Sequence, residues 1–145
     1  MARSIQIVFD TADPDLEAHF WAEALGYELQ PPPAGFTSWP AFLREQGMAE
    51  ERSNDASAIT DPDGHGPRIF FQRVPEGKTA KNRLHMDLNV GGGPSVPIEE
   101  RKKRVNAEVD RLKALGATDE RGAMDKDGEY WVRMNDAEGN EFCLQ

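Results

Sequence analysis

A single cysteine, Cys143, is all the thiol this chain carries, so no disulfide can form within it. A reducing compartment, the cytoplasm, is the expected setting. No apolar run approaches the ~20 residues that a membrane helix needs. The opening Met1-Ala2-Arg3-Ser4 leads directly into a strand-like segment, where a secretory signal would need a longer apolar stretch. No membrane partner is expected. Positive charge is also scarce: 17 basic residues against 26 acidic ones give a formal net charge of −9. A nucleic-acid binder usually has the opposite balance, because phosphate neutralisation drives its affinity. The basic residues that do cluster, Lys78, Lys81 and Arg83 and then Arg101 to Arg104, read as a solvated connector and a solvated helix face beside Glu99 and Glu100. Gly91-Gly92-Gly93 lacks the following lysine and hydroxyl residue of a phosphate loop.

What is present suits one folded domain. The chain has 145 residues, 38% hydrophobic and 30% charged, enough to bury a real core and too apolar for long disorder. Ile5, Ile7 and Phe9 alternate with Gln6, Val8 and Asp10, which predicts a strand with one face on a core. Asp13-Pro14 is an N-cap followed by proline at the first helical position. Leu16, Phe20 and Ala24 follow at helical spacing, with Trp21 and Leu25 widening the stripe, and Gly26 supplies the stop.

The order then repeats. Leu84, Met86, Leu88 and Val90 alternate with His85, Asp87 and Asn89, and a helix opened by Pro97 carries Val105, Val109, Leu112 and Leu115 up to Gly116. Asp61-Pro62-Asp63-Gly64 precedes Ile69-Phe70-Phe71, just as Asp136-Ala137-Glu138-Gly139 precedes Phe142-Cys143-Leu144. These are turn sequences feeding strands. Two halves, 1–74 and 82–145, are therefore expected within one domain, 1–145. The first half is longer: Gly26 to Gly64 is 38 positions and Gly116 to Gly139 is 23, a difference of 15. The extra residues include Phe36, Trp39, Phe42, Leu43 and Met48, and read either as core cover, a lid or a short packing helix.

If the apolar alternates pack on the helices, their neighbours face the other way. Those are Gln6, Val8 and Asp10; Arg68, Phe70 and Gln72; His85, Asp87 and Asn89; and Glu141, Cys143 and Gln145. Faces of this kind would enclose a cavity with a mixed polar and aromatic lining, to which Trp39 and Trp131 are further candidates.

The run from Val74 to Leu88, the close Asp136-Ala137-Glu138-Gly139-Asn140-Glu141-Phe142-Cys143-Leu144 and the helix entry Asp10-Thr11-Ala12-Asp13 resemble actinobacterial glyoxalase-like domains of the vicinal-oxygen-chelate superfamily. The resemblance covers nearly the whole chain. It implies an α+β fold of two βαβββ modules, forming a cup-shaped mixed or antiparallel sheet with the helices on the outer face. It also implies metal-ligand positions at Gln6, Gln72, His85 and Cys143. Only His85 keeps a usual ligand there. Amide oxygens are weak donors beside imidazole and carboxylate, so no tight catalytic metal is expected, while a divalent ion stays open.

Two functions compete on this reading. One is a metal-independent protein that binds a small molecule in the cup, as in the bleomycin-resistance-like branch. The other is a metal-dependent lyase, isomerase or dioxygenase in which Asp87 or Glu141 moves a proton. A third reading is an interaction module whose cup is filled by its own side chains. A homodimer is expected. His85 is read as a cavity histidine bonded to a strand neighbour, Cys143 as a small buried hydrophobe, and a Cys–His nucleophilic pair as the lesser alternative. His19 is placed on the surface and His65 in a structural turn.

Overall fold

A computed structural model describes residues 1–145, apart from the side chains of Glu50 and Glu120. The chain divides into two compact units, Met1–Gly77 and Lys78–Gln145.

The first unit contains β1 (Ile7–Thr11), α1 (Pro14–Leu25), β2 (Glu28–Leu29), α2 (Trp39–Glu45), β3 (Ala56–Thr60) and β4 (Ile69–Arg73). Its sheet has the order β1-β4-β3-β2, with β1 parallel to β4 and the other pairs antiparallel. The second unit contains β5 (Asp87–Leu88), α3 (Ile98–Ala114), β6 (Thr118–Lys126), β7 (Glu129–Asn135) and β8 (Glu141–Leu144). Its order, β5-β8-β7-β6, repeats the same scheme, with β5 parallel to β8. The fold is thus α+β with two βαβββ modules. Among the described residues, no helix is long and apolar enough to cross a membrane.

Local chemistry sets the element ends. Asp13 accepts from the Leu16 N–H at 3.2 Å and, on the same oxygen, from the Asn54 amide at 2.8 Å, while Pro14 opens α1. Gly26 ends the helix at φ 69°, a left-handed conformation that favours glycine. Asp61 accepts from the N–H groups of Asp63, His65 and Gly66, and Asp136 accepts from those of Glu138 and Asn140. The two turns seen in sequence are therefore each tied by their leading aspartate.

The long helices, α1 and α3, each cover one face of their own sheet. α1 lies on β3 and β4, where Ala18, Phe20 and Trp21 are buried with Ile59, Ile69 and Phe71. Glu17 is also fully buried, and one of its carboxylate oxygens accepts from the Trp21 indole at 3.1 Å. α3 lies on β7 and β8, where Val105, Val109 and Leu112 are buried with Val132, Met134, Phe142 and Leu144.

Several expectations need correction. Ile5 lies outside β1 and is exposed, as are Leu16 on α1, Leu84 before β5 and Leu115 past the end of α3. The strand expected from Leu84 to Val90 is only Asp87–Leu88, because the neighbouring β8 reaches it with few backbone bonds, such as Cys143 N–H to the Met86 carbonyl at 2.9 Å. Leu88 alone of the four apolar alternates is buried. The insertion forms α2, but none of its residues is buried, so it does not extend the core. Its rings pack on one another instead, Phe42 against Phe36 at 5.1 Å and against Trp39 at 5.8 Å. The basic stretch of α3 is not wholly solvated: Lys102 reaches Asp125 at 2.7 Å, and the Arg101 side chain, 17% exposed, donates to the Gly128 carbonyl.

Candidate functional site

The pleat and the parallel β5–β8 register bring three functional groups together on the face turned away from α3. Asp87 stands directly opposite Cys143. His85 precedes Asp87 by two residues and so shares its face. The His85 Nε2 lies 3.4 Å from Asp87 Oδ1. One donor atom from each of His85, Asp87 and Cys143 falls within 4.8 Å of the others. Around this trio is a cavity of about 370 Å³ lined by His85, Asp87, Glu129, Trp131, Cys143 and Gln145.

Protonation follows from the surroundings. Burial pushes the Cys143 thiol above its ordinary pKa, and the charge of Asp87 and a hydrogen bond to it push the same way, against smaller opposing effects from Arg133 and Lys81. The group therefore stays a thiol at neutral pH, which disfavours a Cys–His nucleophile acting by itself. Burial also works against the Glu141 carboxylate, but bonds from the backbone of Asn82 and of Glu141 and from Lys78 outweigh it and hold the pKa below the usual range. Its Oε2 takes both the Asn82 N–H at 2.9 Å and the Lys78 ammonium at 3.2 Å. Of the two bases considered from sequence, Glu141 is committed to these bonds and Asp87 is the one that borders the cavity.

In the first unit, Val8 and Phe70 stand side by side on the face turned away from α1. The Gln72 amide donates to Asp10 Oδ1 at 2.7 Å, and Gln6 Oε1 accepts from Arg68 Nη1 at 2.7 Å. Gln6 and Gln72 are thus not neighbours: Asp10 is the residue opposite Gln72, and Gln6 lies four positions earlier. Trp39 lies on α2 and its indole donates to the Gln30 carbonyl at 2.8 Å. His19 is on the surface, and the His65 N–H is held by Asp61 in its turn.

Glu129 escaped the sequence reading. It shares a strand and a parity with Trp131, which could have found it. Gln145, just past β8, has the parity of Cys143, and its amide donates to Asn89 Oδ1 at 3.0 Å.

The chemistry of the donor set decides whether a divalent ion fits. Imidazole, carboxylate and thiolate together suit zinc or a similar thiophilic ion better than an all-oxygen site would. Ligands at ~2.0–2.3 Å from a tetrahedral ion stand ~3.3–3.8 Å apart, so the trio needs only a small contraction from its 4.8 Å limit. His85, Asp87 and Cys143 fit such an ion, whereas Gln6 and Gln72 already have protein partners.

Comparison with known proteins agrees with this architecture. The glyoxalase-like domain family matches residues 6–145. No curated protein matches. Among solved structures, a possible glyoxalase from Bacillus cereus aligns with TM-score 0.60 at 14% identity, covering 100% of this chain and 99% of that one. A glyoxalase/bleomycin resistance protein/dioxygenase family enzyme from Burkholderia phytofirmans gives TM-score 0.60 at 14% identity, over 96% and 94% of the two chains. A mutant of the fosfomycin resistance protein FosX from Listeria monocytogenes, complexed with Mn(II) and a dihydroxypropylphosphonic acid, gives 0.61 at 14% identity, over 100% and 90%. At such identities the structures speak for the fold, and the family match, which spans both βαβββ modules, makes this chain a member of the glyoxalase-like domain family.

Proposed function

We propose that this protein is a single glyoxalase-like domain, 1–145, with halves 1–74 and 82–145, that binds a small organic molecule in the second unit's cavity. The observation that carries the reading is the cavity itself: about 370 Å³, with one large aromatic wall, Trp131, and polar groups His85, Asp87, Glu129 and Gln145. Such a mixture of apolar wall and few convergent polar groups is what small-ligand sites use. A fragment titration of the isotope-labelled protein tests it. The Trp131 indole and the Asp87 and Cys143 amides should shift together and saturate. Shifts scattered over the surface, or confined to the first unit, would refute the assignment.

A second reading is favoured by the mutual proximity of the His85, Asp87 and Cys143 donor atoms. A divalent ion held there would polarise a substrate oxygen, which is the chemistry of a lyase, isomerase or dioxygenase. In that case His85 and Asp87 supply a nitrogen and an oxygen donor, and Cys143 gives up its proton on loading. Cobalt titration separates the readings: a sulfur-to-cobalt charge-transfer band that disappears in Cys143→Ser supports metal loading, and its absence leaves the metal-free binding protein.

A homodimer in the cytoplasm belongs to the same proposal. Within its own sheet β6 is an edge strand of nine residues, the kind of element a second copy covers. Sedimentation as a monomer at micromolar concentration would remove the dimer from the reading.

A further inference from the structure

The first unit holds a cation, Arg68, for which no carboxylate lies within ion-pair distance among the described residues. Arg68 immediately precedes β4, and its guanidinium is held by two neutral groups: Nε donates to Gln30 Oε1 at 2.6 Å and Nη1 to Gln6 Oε1 at 2.7 Å. Its carbon centre lies 5.2 Å from the centroid of the Phe70 ring. Among the described residues, Arg68 forms no salt bridge. Arg52, Arg73, Arg101, Arg104 and Arg111, by contrast, each face a carboxylate.

Amide oxygens fix a guanidinium without cancelling its charge. Two of the five N–H donors are taken, so three remain for another acceptor. Each glutamine turns its oxygen to Arg68, which leaves its NH₂ as a further donor. Beside this polar end, Phe70 and Val8 are paired in register on the face turned away from α1, and Val8 is 47% exposed. At the far end Asp10, in β1, stands four residues after Gln6, about 13 Å at 3.3 Å per residue. The face therefore runs from fixed positive charge, over an apolar floor, to negative charge.

We propose that this face binds a small organic anion, with Arg68 as the anchoring cation and Phe70 and Val8 as the floor beneath the ligand's apolar body. A planar carboxylate matches the open side of the guanidinium fork. Asp10 repels the same group from the other end and so fixes the ligand's direction. None of the groups involved lines the second unit's cavity, and the proposal does not depend on the function assigned to that cavity.

Benzoate is a suitable probe, because it joins a carboxylate to a flat apolar body, and benzyl alcohol is its uncharged control. In the isotope-labelled wild-type protein, benzoate should shift the Arg68 Nε–H and the Phe70 and Val8 amides. Benzyl alcohol should bind at least about tenfold more weakly. Arg68→Met should lose benzoate binding by at least about tenfold, and Arg68→Lys should recover part of it, since it restores charge without the fork. Melting temperatures show whether each variant is folded; if Arg68→Met is not, the wild-type shift map and the alcohol comparison decide. The site is overturned by shifts elsewhere, by equal binding of the alcohol, by a folded Arg68→Met that binds benzoate as wild type does, or by no binding up to ~10 mM benzoate.

Discussion

The Nε2 of His85 stands 3.4 Å from Oδ1 of Asp87, two residues further along the same chain edge, and Asp87 in turn faces Cys143 across the β5–β8 ladder. One short stretch of parallel pairing thus sets an imidazole, a carboxylate and a thiol beside one cavity. Because the His85 side chain is 46% exposed, it contributes little to the packed core. His85→Ala should leave the melting temperature within a few degrees of wild type and weaken binding in the second unit's cavity by about 1–3 kcal/mol, the cost of leaving a partner unpaired. Parallel melting curves and titrations check this. Collapse of the fold, or unchanged affinity for ligand and metal alike, would remove His85 from the site.

The same geometry predicts the behaviour of the thiol. Burial is the main cause of the raised Cys143 pKa, and Asp87 adds to it. The thiolate is the reactive form, so iodoacetamide should modify Cys143 slowly at neutral pH and faster as pH rises through the elevated pKa. Asp87→Asn removes the neighbouring negative charge, lowers that pKa and should speed modification at a fixed pH. Slower modification in Asp87→Asn would contradict the assigned interaction. Zinc at micromolar concentration should protect the thiol if the metal reading holds.

How much of this was legible in the sequence can be traced residue by residue. Caps and turns were, because Asp13, Gly26, Asp61 and Asp136 each bond to residues at most five positions away, although the Asn54 amide that also reaches Asp13 lies 41 positions further on. Facing was also legible wherever alternation was strict, as in Ile69 and Phe71 against Phe70 and Gln72. The depth of burial was not. Ile5 and Leu84 have the right parity but lie outside β1 and β5, and Leu16 has helical spacing but lies off the face of α1 that buries Pro14, Glu17, Ala18 and Trp21. Partners distant in sequence were hidden as well: nothing local announces that Gln6 meets Arg68, 62 residues away, or that Glu129 borders the cavity of His85. Parity gives the face of a side chain, whereas its neighbour requires the register between strands.

Gly66 is a case where the structure adds a constraint that sequence alone reads as punctuation. A Cβ there would overlap the Tyr27 hydroxyl and approach the Asp61 carboxylate. The tyrosine ring cannot shorten, so the turn or the ring must move. Gly66→Ala should destabilise the protein by about 1–3 kcal/mol, the usual cost of overpacking, and Tyr27→Phe in the same chain should recover part of it by removing the overlapping oxygen. Denaturant unfolding of both variants measures this, and an unchanged midpoint for Gly66→Ala would show that the turn yields freely.

Asp13 links a local signal to the acid sensitivity of the whole first unit. Its carboxylate is held below the ordinary value of 3.8, first by the Asn54 side chain and then by the Leu16 N–H. A carboxylate whose folded pKa is depressed stabilises the fold fully above its unfolded value and loses that contribution as pH falls through the folded value. The contribution of Asp13 is therefore constant near neutrality and fades only below about pH 4. Asp13→Ala should cost about 1 kcal/mol at pH 7, as loss of an N-cap does, and Asp13→Asn should cost less because its amide oxygen can still accept from Leu16. The Asn54 side-chain oxygen also accepts from the Asp15 N–H at 2.9 Å, so Asn54→Ala should mimic part of the loss. The discriminating measurement is the stability difference between wild type and Asp13→Ala at pH 7 and at pH 3. It should shrink on acidification, and a difference that stays constant or grows would mean that the charge on Asp13 plays no part in holding α1.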